Sequence, residues 1–301
     1  MDYTFQYPEA SLTVDAAIES VASHLAAAPL WYGHGTDNPD DEAAWLVFHV
    51  CGIDYPIPDG AYAQSVTKQQ LQRIDELLSR RVTERQPLPY LLNEAWFAGL
   101  KFFVDERVLI PRSPFAELIA DGFQPWLGDI KPQRILEIGT GSGCIAIACA
   151  LAFPDAEVVA TDISPDALAV ARENVARHQL EDRVQLLEAD LFNGVPGKFD
   201  LIVTNPPYVP VEAANNLPEE YNHEPLLALK SGNDGLDAAR GILHDSAAHM
   251  QSHAILFLEV GAQWEALDSA CPELPFMWLE FEHGGEGIAM IAAQSLVTAN
   301  R

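Results

Sequence analysis

From Arg134 onward the chain alternates short β-branched runs with helical patterns, and this alternation restricts the fold more than any other feature. Runs suited to strands lie at Arg134–Ile138, Glu157–Thr161, Val184–Leu187, Leu201–Thr204, Ala254–Glu259, Phe276–Phe281 and Gly287–Ala292. Helical segments fall between them, notably Pro165 to His178, where Ser164 is placed to cap and Pro165 takes the first helical position. Such alternation implies a mostly parallel sheet with helices on both faces. Only Glu282–Glu286 separates the last two runs, which is too short for a parallel crossover, so one of them must run antiparallel. The expectation is an α/β fold with a seven-stranded, mostly parallel sheet and an antiparallel last strand.

The N-terminal third reads differently. Val14, Ala17, Ile18, Val21 and Leu25 recur at helical spacing after the cap residue Thr13. A second helix is expected from Asp40-Asp41, with Ala43, Ala44, Leu46, Val47 and Val50 inward. The clearest helix spans about Thr67 to Arg85: Thr67 and Gln70 form a capping box, and Leu71, Ile74, Leu77, Leu78 and Val82 make one stripe. Pro87 and Pro89 stop it. Aromatic and β-branched residues between Trp96 and Ile110 suggest a hairpin. The organisation expected is a small N-terminal helical domain over 1–94, a β-hairpin linker over 95–112 and the α/β domain over 113–301.

Charge narrows the partners. The net charge is −27 over 301 residues, and residues 1–67 hold ten acids (Asp2, Glu9, Asp15, Glu19, Asp37, Asp40, Asp41, Glu42, Asp54, Asp59) with no Lys or Arg. Such a surface repels phosphate backbones, so no direct nucleic-acid binding is expected, and it steers a cationic partner. The alternative reading is a solvated acidic surface that aids solubility, or adaptation to salt. No apolar stretch suits a membrane span, and the first basic residue is Lys68, so no leader peptide and a cytoplasmic location are expected. Cys51, Cys144, Cys149 and Cys271 form no CxxC pair, which suggests reduced thiols and no metal site. Cys144 reads as packing. His249 and His253, four apart on an expected helix, have no third ligand and read as surface histidines.

Two motifs carry chemistry. In Arg134-Ile-Leu-Glu-Ile-Gly-Thr-Gly-Ser-Gly143 a strand leads into a glycine turn and an apolar helix. Gly139, Gly141 and Gly143 let the backbone approach a ligand, and the helix start beyond has free N–H groups. Dinucleotide folds use a similar turn. Here the spacing is GxGxG behind an acid, Glu137, and that resembles the pattern for S-adenosyl-L-methionine, whose cationic sulfonium and amino acid moiety must be held. Glu137, Gly139, Thr140, Gly141 and Gly143 are therefore candidate cofactor residues. Asp162 ends the second strand, 23 residues after Gly139, where a carboxylate accepts ribose hydroxyls. Asp190 ends the third and is a candidate for the adenine amino group, with Phe192 against the ring.

Asn205-Pro206-Pro207-Tyr208 follows the apolar run Leu201–Thr204, at the carboxyl edge of the sheet. An amide or aniline-like nitrogen is a poor nucleophile, because its lone pair is delocalised. The Asn205 side-chain oxygen and the Pro206 carbonyl can each accept one N–H of a planar NH₂ group, and neither proline adds a competing N–H donor. Holding both hydrogens aims the nitrogen and favours its pyramidalisation, while Tyr208 packs on the planar group. Catalysis is then positioning and electrostatics, with no strong general base. Asn205, Pro206 and Tyr208 are the candidate catalytic residues. At this point a protein amide and an adenine amino group remain open, as does a cofactor-binding assembly factor that performs no transfer.

The glycine turn, the Asn-Pro-Pro-Tyr tetrapeptide and the closing antiparallel pair together resemble class I methyltransferases. Nearly the whole chain is similar to the protein-glutamine methyltransferases, in the helical front end, Val108-Leu-Ile-Pro-Arg112 with Glu117, Leu136–Gly143, Asn205–Tyr208, Glu224-Pro225 and Ser231-Gly-Asn-Asp-Gly235. The resemblance implies cofactor contacts at Gly139, Gly141, Gly143, Asp162 and Asn205, and a substrate site at Asn205, Pro206, Pro207 and Tyr208, with Arg112 beside it. The release-factor branch has proline and then threonine-glutamate after its Pro-Arg pair, whereas Pro111-Arg112 is followed here by Ser113-Pro114-Phe115-Ala116-Glu117. That segment, with Trp31–Pro39 and Trp96–Gly99, resembles the branch that modifies large-subunit ribosomal protein L-three. The resemblance thus implies a basic protein substrate, with release factors as the alternative and an adenine amino group on nucleic acid as the more remote one.

Overall fold

The computed structural model describes residues 12–299, which divide into two compact units. The first takes the residues up to Glu94 together with Pro218–His223; the second takes Ala95–Leu217 and the residues from Glu224 onward. Of the acids named above, Asp2 and Glu9 lie outside the described residues.

In the first unit, helix α1 (Val14–Ala27) begins where the Thr13 hydroxyl accepts the Ala16 N–H, and it buries Val14, Ala17, Val21 and Leu25. Asn38 caps α2 (Pro39–Cys51), Pro39 opens it, and Gly52 ends it in the left-handed conformation. The capping box of Thr67 and Gln70 is present at α3 (Lys68–Thr83), which buries Ile74, Leu77, Leu78 and Val82. A short α4 (Leu88–Leu92) closes the apolar core that these helices share. Glu220, on a 3₁₀ turn at Glu219–His223, is wholly buried within this same unit.

The second unit opens with an antiparallel hairpin, β1 (Ala95–Phe97) and β2 (Leu100–Phe102), turned by Ala98 and Gly99 at positive φ. The hairpin clusters with this unit, and its strands stop at Phe102. Val108–Ile110, expected as strand, is irregular, because the Ile110 N–H donates to the Glu224 carboxylate and the Val108 N–H turns back to the Asp105 carbonyl. Helix α5 (Phe115–Ala120) follows.

Then come β3 (Arg134–Ile138), α6 (Cys144–Ala152), β4 (Glu157–Asp162), α7 (Pro165–Arg177), β5 (Val184–Glu188) and β6 (Phe199–Thr204). After two short turns, α8 (Val211–Ala214) and α9 (Leu226–Leu229), the chain continues through α10 (Asp237–His249), β7 (Met250–Glu259) and α11 (Trp264–Ala270). It ends with β8 (Met277–Trp278), β9 (Ile288–Ala292) and α12 (Ala293–Ala299). The seven-stranded sheet has the order β5-β4-β3-β6-β7-β9-β8, with β9 antiparallel to both neighbours. This is the fold expected of class I methyltransferases. The strand expected over Phe276–Phe281 shrinks to two residues, since it pairs on one side only, at the sheet edge. His253 sits on β7 and pairs with Asp200 at 2.9 Å, so the two histidines do not share a helix.

Apolar side chains from both sheet faces pack against the surrounding helices in two clusters. Successive strands lie to one side of β3, but β6 returns to its other side. Such a reversal leaves a crevice beyond the carboxyl ends of the two central strands, where ligands bind in open α/β sheets. No described helix is long and apolar enough to cross a membrane.

Candidate active site

The two segments singled out by sequence meet at this crevice. β3 leads into the glycine turn and β6 into Asn205–Tyr208, with Ile138 and Thr204 paired in register. Threonine hydroxyls tie the strand ends: Thr204 donates to the Ile138 carbonyl at 2.9 Å, and Thr161 to the Glu137 carbonyl at 3.2 Å. Gly139 is exposed, and a side chain there would point to within 3.9 Å of the Asn205 carbonyl oxygen. Gly141 holds φ +54 and donates its N–H to the Asp162 carboxylate at 2.8 Å. The other Asp162 oxygen accepts from Ser164 at 2.9 Å, so this carboxylate joins the glycine turn to the start of α7. Burial pushes the Asp162 carboxyl above the usual range, against these backbone N–H groups.

The expected cofactor residues separate into two layers. Gly139, Gly141, Asp162, Asp190 and Asn205 keep solvent exposure at the crevice. Glu137, Thr140, Gly143 and Phe192 lie beneath it. The Glu137 carboxylate, 1% exposed, accepts from the Thr140 hydroxyl and from the Ala146 N–H at 3.0 Å. Glu137 and Thr140, named as cofactor residues from sequence, brace the turn from below. Burial pushes the Glu137 carboxyl up to about 8, with those two hydrogen bonds opposing. A side chain at Gly143 would sit 3.4 Å from Ala171 and Ile147, so this glycine serves the close approach of α6 and α7. Phe192, expected against an adenine ring, is in the core and stacks on His249, centroids 4.7 Å apart.

Arg112, expected beside the substrate, forms a bidentate guanidinium pair with buried Glu224, at 2.6 and 2.7 Å. Within the second unit Arg112, Ser113, Pro114, Glu117, Tyr208, Glu259 and the 282–286 loop line a cleft of about 910 Å³. Both Glu117 oxygens accept backbone N–H groups of that loop, from Glu282 and His283. The Asn205 side chain makes no hydrogen bond among the described residues, and Pro206 is buried while Pro207 and Tyr208 are half-buried.

Sequence reasoning missed two residues here. Asn174, wholly buried on α7, donates to the carbonyls of Phe103 and Ser142 and accepts the Phe103 N–H, which ties the hairpin exit to the glycine turn. Glu259 ends β7 and accepts from Ser113 and Tyr208. Burial pushes its carboxyl up to about 7, while Ser113, Arg112 and Tyr208 hold it down. An acid closing an apolar strand was the available signal. Cys144 is buried, and burial raises its thiol to about 12, as for a packing group.

Glu42 departs from its expected place on an acidic outer surface. It is buried in the first unit and accepts from Arg81 at 2.6 Å. Arg81, 1% exposed, also donates to Glu220 at 3.2 Å and to the Trp31 carbonyl at 2.8 Å. Glu220 in turn accepts two bonds from Arg85 and the Trp31 N–H. Burial raises the Glu42 carboxyl, with Arg81 opposing; for Glu220 burial also pushes up, but Arg85, Trp31 and Arg81 together hold it low. Asp15, Glu19, Asp37, Asp40, Asp41, Asp54 and Asp59 are exposed.

Residues 121–224 match the family model described as Methyltransferase small domain. The protein "Ribosomal protein uL3 glutamine methyltransferase" of Francisella tularensis subsp. tularensis is 44% identical over 277 residues, covering 91% of this chain and 88% of that protein. The protein of the same name from Neisseria meningitidis serogroup A is 43% identical over 280 residues, covering 93% of this chain and 92% of its own length. Among solved structures, a methyltransferase from Pyrococcus furiosus aligns with a TM-score of 0.47 at 18% identity, over 75% of this chain and 99% of that one.

Proposed function

The chain belongs to the ribosomal protein uL3 glutamine methyltransferases, and from that premise we propose that it methylates the side-chain amide nitrogen of a glutamine in uL3, with S-adenosylmethionine as donor. When bound, this cofactor supplies a methyl group activated by a cationic sulfonium. Gly139 and Gly141 allow it close to the backbone, Asp162 accepts its ribose hydroxyls, and Asp190 takes the adenine amino group.

Asn205 carries the reading. Its amide is left without a protein hydrogen bond among the described residues, at the end of the strand beside the glycine turn. Its oxygen and the Pro206 carbonyl accept the two N–H bonds of the target amide, and Tyr208 packs on the amide plane. As the N–C bond forms the methyl–sulfur bond would break, leaving S-adenosylhomocysteine, and one N–H proton would pass to solvent. The side chains Asp15, Glu19, Asp37, Asp40, Asp41, Asp54 and Asp59 give the first unit an outer surface suited to a basic protein.

The test is methyl transfer from labelled S-adenosylmethionine into separately purified uL3, a peptide chain release factor and adenine-containing DNA, with the label located by mass spectrometry. The expected result is label on one glutamine of uL3. Label on the release factor alone would move the substrate, and label on adenine would overturn the amide reading.

A further inference from the structure

Thr204 pairs with Leu258 across β6 and β7, so Glu259 follows that pair on one strand as Asn205 follows it on the other. Glu259 is 3% exposed, a costly place for a carboxylate unless it is used. The nearby guanidinium of Arg112 is committed to Glu224. What Glu259 accepts are two hydroxyl hydrogen bonds, from Ser113 at 2.5 Å and from Tyr208.

Tyr208 is held from other sides as well. A side chain at Gly261 would sit 2.9 Å from its ring, and one at Gly235 would overlap its carbonyl oxygen. Gly261 can lie that close because Gly287, facing its backbone, has no side chain either. Left to itself a phenol ring rotates broadly about its terminal torsion. Here the hydroxyl and the ring are both fixed, and the fixed residue belongs to the proposed methylation site.

We propose that Glu259 is a positioning residue for methyl transfer, which holds the Tyr208 hydroxyl and thereby sets the ring on which the target amide rests. The inference rests on the function proposed above. In this role Glu259 acts through Tyr208 and not on the reacting atoms. A positional error of about 1 Å at a reacting centre costs on the order of 100-fold in rate, so a lost ring anchor should show in kcat.

The experiment compares Tyr208→Phe, Glu259→Leu and the double variant in methyl transfer to uL3, with a denaturant midpoint for each. Each single variant is expected to lose roughly 10-fold in kcat, with KM for S-adenosylmethionine within about 2-fold of the parent. The double variant should lose no more than the worse single, because both remove one interaction. Multiplying losses, an unchanged kcat in Glu259→Leu, or a rate loss that follows the denaturant midpoint would each overturn the proposal. Failure of the underlying reading looks different, since the unsubstituted enzyme would then place no methyl on glutamine.

Discussion

Both units bury carboxylates, and two in each are held in opposite ways. In the first, Glu42 and Glu220 face Arg81 and Arg85, so two buried negative charges meet two positive ones. In the second, Glu137 and Glu259 accept hydrogen bonds from hydroxyls and a backbone N–H, with no ion pair among the described residues. The balanced cluster holds structure. The unbalanced carboxyls, pushed up to about 8 and about 7, lie under and beside the segments that would bind a cationic cofactor and a planar amide. Of these four, the first unit's pair is neutralised and the second unit's pair is left adjustable near the proposed chemistry, while Glu224 in the second unit is matched by Arg112.

The strongest way to break that contrast is Arg81→Ala. It leaves Glu42 uncompensated and should cost about 3–5 kcal/mol of stability. Urea unfolding followed by circular dichroism measures it, and a loss below ~1 kcal/mol would make the cluster ordinary surface pairing. Asn205→Ala should do the reverse. Turnover should fall by about 3–4 kcal/mol in activation free energy, with cofactor affinity and unfolding midpoint nearly unchanged. Turnover close to the parent's would remove Asn205 from the site.

Glu137→Gln sharpens the comparison through pH. The folded carboxyl binds its proton up to about pH 8, whereas an ordinary glutamate releases it near 4.5. Between those values the folded protein holds the extra proton, so this group's contribution to stability falls as pH rises, by up to ~1.4 kcal/mol per unit. The glutamine variant lacks that slope and should gain on the parent steadily from pH 5 to 8. Parallel stability curves would show that Glu137 is not a neutral acid in the fold. The smallest effect belongs to the exposed acids: Asp37, Asp40 and Asp41 changed together to Lys should weaken uL3 binding several-fold at low salt and little at high salt. Unchanged affinity at low salt would remove the first unit's acidic surface from recognition.

Much of this was legible because it is local. The capping box at Thr67, the strand Arg134–Ile138 and the closing antiparallel pair follow from period and spacing within a few residues. What escaped depends on partners far along the chain. Glu42 looks like one of several surface acids until Arg81 is beside it. Arg112 looks free until Glu224 arrives from 112 residues away, and the same carboxylate takes the Ile110 N–H that a strand would have needed. Phe192 follows the carboxyl end of β5, where the sequence favours a ligand ring; its stacking on His249 depends on a residue 57 positions away.

The chain leaves the first unit at Glu94 and supplies it again with Pro218–His223. During synthesis this means that the part made first is completed late. Arg81 must wait for a carboxylate 139 residues downstream, roughly ten seconds of translation at typical elongation rates. Until then its guanidinium has Glu42 alone, and a nascent front end cut at Glu94 would lack the second half of its buried charge balance. The six returning residues thus act as a completion signal, because the unit that carries the acidic surface can finish folding only after the glycine turn and the Asn-Pro-Pro-Tyr segment have already been made.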